Sequence, residues 1–276
     1  MSRRGQTAPV LNASTATYPN TASASVKTAG TVSGGTTAAP GTLTWTNQSR
    51  STVGSQTATA YYAATTTNFS ASSASTGVTV QVNKYTPIVT LSATNRKYNG
   101  NALYASATVS VPSGGKTMKG TIYYGTSSGA TTYSVTYSGS AVNLSSVSIT
   151  NVGSTTVYAY FAPDSTCNDV YNSSGNVNKT MTISKADQSA PTATGATVGY
   201  GNTATASASS GGHGSIEWYN NVSTRTTVGT TTGVKARWSG NSNYNASDWS
   251  NSVSLVVEAK WYNGTTWLGT LTWPSA

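Results

Sequence analysis

The chain has 276 residues, enough for two or three domains with a modest core each. Only 8% of them are charged, against roughly 25% in an ordinary soluble domain, so Ser, Thr, Asn and Gly must carry solubility. The net charge of +9 is spread along the chain, and no apolar run approaches the roughly 18 residues of a spanning helix, which excludes a groove-binding nucleic-acid protein and a helical membrane protein.

In chain order, Met1-Ser2-Arg3-Arg4-Gly5-Gln6-Thr7 carries two arginines with no apolar stretch behind them, so export by an ordinary signal peptide is not expected. A first copy of a repeat follows: Tyr18-Pro19-Asn20-Thr21-Ala22-Ser23-Ala24-Ser25, then Leu43-Thr44-Trp45, then Arg50-Ser51-Thr52-Val53-Gly54. It is answered far downstream by Tyr200-Gly201-Asn202-Thr203-Ala204-Thr205-Ala206-Ser207, Ile216-Glu217-Trp218 and Arg225-Thr226-Thr227-Val228-Gly229. Two copies of one supersecondary unit flank a longer middle segment, so the chain reads as a row of small modules. Such a row suits spanning distance and presenting surfaces.

Within the modules nearly every interpretable stretch alternates with period two, as in Val78-Thr79-Val80-Gln81-Val82, Thr155-Thr156-Val157-Tyr158-Ala159-Tyr160 and Val253-Ser254-Leu255-Val256-Val257. These Thr-, Val- and Tyr-rich runs suit half-buried strands, and Gly and Asn punctuate them at short intervals. No segment reads as a helix. The pattern predicts antiparallel sandwiches over 7–83, 84–187 and 188–259, a basic arm over 1–6 and an aromatic tail over 260–276. The joints Lys84-Tyr85-Thr86-Pro87 and Lys185-Ala186-Asp187 are short enough to limit bending. Trp45 and Trp218 fall at matching points and are expected as core anchors, with an exposed sugar platform as the other reading.

Arg237-Trp238-Ser239-Gly240-Asn241-Ser242-Asn243-Tyr244-Asn245-Ala246-Ser247, followed by Ser252-Val253-Ser254-Leu255-Val256-Val257, resembles the closing half of bacterial immunoglobulin-like repeats. Arg96-Lys97-Tyr98-Asn99-Gly100 is similar to their opening, and Tyr158-Ala159-Tyr160-Phe161-Ala162 through Met181-Thr182-Ile183-Ser184-Lys185-Ala186 to their ending. The resemblance covers residues 7 to 259. It implies an all-β chain of three tandem immunoglobulin-like antiparallel β-sandwiches, modules found in tailed-phage virion decoration proteins and in bacterial surface adhesins. The usual acidic turn residue is Asn241 here, and the first module has Ala64-Thr65-Thr66-Thr67-Asn68-Phe69 in that place, so a calcium site is not expected.

Chemistry-bearing residues are sparse. Cys167 is the single cysteine, which excludes an internal disulfide, and the single His213 lies in the turn Gly211-Gly212-His213-Gly214. Asp164 and Asp169 flank Cys167 without a nearby base, and Glu217 and Glu258 sit at strand positions whose simplest reading is a solvated face. No catalytic, cofactor-binding or metal-binding residue is expected, and the chain is read as a non-enzyme.

The tail Lys260-Trp261-Tyr262-Asn263-Gly264-Thr265-Thr266-Trp267-Leu268-Gly269-Thr270-Leu271-Thr272-Trp273-Pro274-Ser275-Ala276 breaks the pattern and holds three of the seven tryptophans. Asn263-Gly264 predicts a two-residue hairpin loop that sets Tyr262 opposite Thr265 and Lys260 opposite Trp267. So short a hairpin needs another surface for its rings, either the end of the third module or a partner. Arg3, Arg4, Trp261, Tyr262, Trp267 and Trp273 are therefore the candidate partner-binding residues. The resemblance, together with the missing export signal, points to an auxiliary capsid (head decoration) protein of a tailed-phage virion, assembled in the host cytoplasm. Its partner would be the major capsid protein or another virion structural protein. The alternative is a glycan-binding adhesin or tail-fibre-associated module, with host surface glycans as partner.

Overall fold

A computed structural model describes residues 2–65, 68–263 and 266–271, with side chains described as far as Ala259. The architecture is all-β, a tandem series of immunoglobulin-like sandwiches; among the described residues the only helical turn is a short 3-10 segment at Tyr219–Asn221. No helix among them is long and apolar enough to cross a membrane. The chain divides into two compact units, residues 1–93, 104–147 and 156–180 in one, and residues 94–103, 148–155 and 181–276 in the other.

In the first unit a four-stranded sheet runs Ser14–Thr17, Val78–Asn83, Gly54–Tyr62, Leu43–Thr46. Its first pairing is parallel and the others antiparallel. Strand alternation buries one face, Ala58, Val80 and Val82 turning inward against Ala22 and Ala24. The core is thin because its residues are small. The middle segment of this unit is built on Gly120–Gly125, which pairs antiparallel with Tyr133–Tyr137 and with the strand ending at Pro163. Its interior is bulkier: Met118, Ile122, Leu144, Val157 and Phe161 are all fully buried.

The second unit repeats the first plan. Ala196–Gly199 lies parallel to Val253–Asn263, which also pairs antiparallel with Gly229–Val234. Ala204, Ala206, Val234, Leu255 and Val257 form its core. Trp218 and, in the first unit, Trp45 pack against the corresponding cores, but both are half-buried rather than enclosed. The expected core anchors are thus corrected to partly buried rings packed against their cores, and Trp45 lies on Leu43–Thr46 at the edge of its sheet.

The sequence echo Arg-x-x-Val-Gly has a physical cause. The Arg50 guanidinium donates to the Val53 carbonyl at 2.8 Å, and Arg225 donates to the Val228 carbonyl at 2.9 Å. Each connection then passes into the next strand, which belongs to a different sheet, through a glycine in the left-handed half of backbone space, Gly54 at φ 121° and Gly229 at φ 123°. A Cβ on either would sit 2.6 Å from the arginine Nη2. Backbone and space both demand glycine.

The tail forms the expected hairpin in a different register. Thr266–Leu271 pairs with Val253–Asn263 so that Asn263 opposes Thr266 and Tyr262 opposes Trp267, with a register shift at Trp261/Tyr262. The expected pairing is thereby corrected: Lys260 opposes Thr270 rather than Trp267.

Replacing Gly54 or Gly229 by alanine should cost about 1–3 kcal/mol, since the new methyl forces the backbone out of the positive-φ region and the arginine off its carbonyl. The measurement is the urea midpoint of the full chain. An unchanged midpoint for either variant would show that the Arg-Gly pairing does not hold its connection.

Candidate partner-binding surfaces

The joints between modules are each held by an isolated β-bridge. In the first unit, the Tyr85 N–H donates to the Val170 carbonyl at 3.0 Å and the Tyr85 carbonyl accepts from the Asn172 N–H at 2.9 Å, a parallel bridge between Tyr85 and Tyr171. The rings of Tyr18 and Tyr85 meet Tyr171 edge-on at 5.7 and 6.2 Å. Tyr171 is 1% exposed, and its hydroxyl donates to the Lys116 carbonyl at 2.6 Å. The Lys116 N–H in turn donates to the Tyr18 hydroxyl at 2.9 Å, and its ammonium pairs with Asp169 at 2.6 Å. Three tyrosines and one lysine thus lock the segment.

The same arrangement recurs in the second unit. The Ala186 N–H donates to the Asn243 carbonyl at 3.0 Å, and the Ala186 carbonyl accepts from the Asn245 N–H at 2.8 Å. Tyr98 meets Tyr244 edge-on at 5.5 Å, and His213 stacks on Tyr244 at 3.6 Å. Lys97 pairs with Asp187, whose second oxygen accepts from Asn245 Nδ2 at 2.8 Å. Tyr18, Tyr98 and Tyr200 occupy one structural position: their backbone N–H groups donate to the carbonyls of Asn83, Ser184 and Glu258. The ring of Tyr200 is 75% exposed.

Ion pairs, hydrogen bonds and burial explain the perturbed titrations. Lys116 is held above the usual lysine range by its hydrogen bond to Asp169, and Asp169 below the carboxylate range by the same bond. Asp187 is lowered by Lys97 and then Asn245, and Asp164 by the side-chain and backbone donors of Thr166. Burial pushes Tyr171 up to about 12, with the Tyr18 phenol reinforcing the shift. Cys167 is 1% exposed, its thiol directed at the Lys119 carbonyl at 3.0 Å. Among the described residues no three His, Cys, Asp or Glu side chains gather as a metal site.

The N-terminal arm is integrated into the first unit. The Arg4 N–H donates to the Asn68 carbonyl at 2.9 Å and the Arg4 carbonyl accepts from Ser70 at 3.0 Å, the bridge that Tyr85 and Ala186 make at the joints. Gln6 donates to the Ala63 and Ser70 carbonyls and accepts from the Gly41 N–H. Gln188 does the same, donating to the His213 and Asn245 carbonyls and accepting from the His213 N–H. An arm standing outside every module is therefore corrected: strand pairing and Gln6 tie it down, while the side chains of Arg3 and Arg4 face outward. Of the other candidate partner-binding residues, the side chains of Trp261, Tyr262 and Trp267, and the whole of Trp273, lie outside the described residues.

Sequence reasoning missed the joint tyrosines. Their signal is the pair Val170-Tyr171-Asn172 and Asn243-Tyr244-Asn245, easily taken for ordinary turn chemistry.

No protein-family model and no curated protein sequence matches the chain. Among solved structures, four extracellular repeats of Drosophila N-cadherin align at 9% identity with a TM-score of 0.30, covering 92% of this chain and 75% of that one.

Tyr171 supplies a pH test. Its phenol is neutral in the folded chain up to about 12, so the stability it contributes is complete below its unfolded value near 10 and is lost as pH rises through about 12. Urea midpoints taken from pH 8 to pH 12 should fall more steeply in the unaltered chain than in Tyr171→Phe. Parallel profiles would mean that the phenol is not protected.

Proposed function

We propose that the chain is a non-enzymatic structural protein whose modules, over 7–83, 84–187 and 188–259, form a scaffold that decorates a larger assembly. The observation that supports this most is the repeated joint: Tyr85 and Ala186 are hydrogen-bonded on both sides to the module that follows. Segments between modules are thereby bound to a module rather than left as free linkers, which suits a structural role. The perturbed acids Asp169 and Asp187 are explained by their places in the joints, so their titration calls for no catalytic role.

The setting we favour is the tailed-phage virion, with the chain as an auxiliary capsid protein bound to the major capsid protein or another virion structural protein. The resemblance of the module endings to immunoglobulin-like repeats is its support. Attachment would use outward arginines of the arm and the aromatic tail. Aromatic rings are the usual anchors at interfaces, each gaining on the order of 2 kcal/mol when desolvated.

The protein should copurify with particles in many copies. Removing residues 260–276 should reduce loading while leaving the unfolding transition of the modules in place. Arg3→Ser with Arg4→Ser should make loading less sensitive to salt, because two screened charges have been removed. This double variant is the proper test of the arm, since deleting residues 1–6 would also remove the Gln6 hydrogen bonds. Absence from purified particles overturns the virion setting, and full loading of both variants at every salt concentration overturns attachment through the chain ends.

A further inference from the structure

The modules share a hydrogen-bond framework that places their residues in register. A serine hydroxyl accepts from the central strand at the same point in each: Ser72 from the Tyr62 N–H, Ser174 from the Phe161 N–H and Ser247 from the Trp238 N–H. One residue earlier on that strand stand Tyr61, Tyr160 and Arg237. Their cross-strand partners are Thr44, Tyr123 and Glu217. This outward pair is thus Thr-Tyr in the first copy, two stacked tyrosines 5.3 Å apart in the middle, and Glu-Arg in the third.

Around the Glu-Arg pair the third copy adds rings. The Arg237 Nε donates to Glu217 Oε2 at 2.8 Å, and its guanidinium carbon lies 4.6 Å from the centre of the Trp249 ring. Tyr219 meets Trp249 edge-on at 5.4 Å. Trp249 sits on a loop pinned on both sides, by Ser247 to the Trp238 N–H and by Ser250 to the Ala236 N–H, so its ring is held before any ligand arrives. Ile216, Glu217, Trp218, Asn221, Arg237 and Trp249 line an open cleft of about 430 Å³.

Folding does not require this cluster. In the first copy the Ala60 N–H is bound by Ser75 as Ala236 is by Ser250, so the place of Trp249 is taken by Ala74. That copy closes an equivalent alanine-valine core with Thr44, Tyr61 and Ala74 there, and none of Glu217, Arg237 and Trp249 belongs to the core of the third.

We propose that this cleft binds a neutral sugar. Glu217 and Arg237 cancel each other's charge, so an ionic ligand would have to break the pair to gain one partner. Among the described residues the Arg237 Nη groups and Glu217 Oε1 make no other hydrogen bond. Donors and an acceptor therefore stand side by side at a fixed spacing, as a pair of adjacent hydroxyls requires, with the Asn221 amide at the rim and an indole for the apolar face of a pyranose. The inference goes beyond the structural role proposed above, and particle loading does not depend on it.

The test is nuclear magnetic resonance of the full chain titrated with cellobiose, maltose and N,N'-diacetylchitobiose as probes. At least one should shift the Trp249 indole N–H in a saturable manner. Glu217→Gln, which keeps size and removes the charged acceptor, should weaken that sugar about tenfold or more, and Trp249→Ala should abolish the saturable shifts that the same sugar produces in the backbone amide signals around the cleft. Tyr61→Ala, on the matching face of the first copy, should leave them unchanged. If Trp249→Ala alters the dispersed spectrum of the fold, the Glu217→Gln titration decides. No indole shift with any of the three sugars, or binding undiminished in Glu217→Gln, overturns the proposal.

Discussion

Buried backbone groups must be paired, and this single requirement shapes the chain from the arm to the last joint. A polypeptide leaving a sandwich carries N–H and C=O groups that cost free energy if they are shielded from water unbonded. Here they are taken up by the Asn-Tyr-Asn or Val-Tyr-Asn turn that follows, at Tyr85 and again at Ala186. Arg4 meets Asn68 and Ser70 on the same terms. Because each bridge brings an aromatic residue alongside, Phe69, Tyr171 or Tyr244, satisfying the backbone also creates a site for ring packing. Tyr18 and Tyr98 use it.

The thin cores make these joints matter more. Ala22, Ala24 and Ala58 beside two valines bury little apolar area, and the third copy follows suit with Ala204 and Ala206. At roughly 25 cal/mol per Å² such a core contributes less than one filled with leucine and phenylalanine. Hydroxyl side chains supply part of the remainder by closing backbone groups that a strand would otherwise close: Ser72 and Ser75 bind the Tyr62 and Ala60 N–H groups. Serine and threonine thus replace apolar volume with satisfied hydrogen bonds, which accounts for a folded chain with so few charged residues.

Fold class was readable because period-two alternation and the repeat echo are local signals. The Arg-x-x-Val-Gly echo went further, since one arginine reaching one carbonyl lies wholly within five residues. Trp45 and Trp218 were located correctly along the repeat but not in depth, because depth depends on which strand forms the sheet edge. The tail register failed because a local turn signal does not fix which residues pair across it, and Lys260 meets Thr270 rather than Trp267. The joints were illegible for a different reason: Tyr18 and Tyr171 are far apart in sequence, and no pattern says that a turn tyrosine will face another 5.7 Å away. Nor did the sequence reading of Glu217 as a solvated strand residue see Arg237 and Trp249 around it, since their meeting is a matter of pairing register and loop anchoring.

What the copies share and where they differ have separate meanings. The alanine-valine interior, the serine anchors and the bridged joints recur because each closes backbone or excludes water, and any sequence adopting this plan must supply them. The outward cross-strand pair carries no such duty, and there the residues change from Thr44-Tyr61 to Tyr123-Tyr160 to Glu217-Arg237. A position free of folding constraints is where chemistry can be placed without loss of stability. In the third copy it holds an opposed charge pair beside a pinned indole, so that a scaffold with little chemistry of its own presents one face equipped to recognise something.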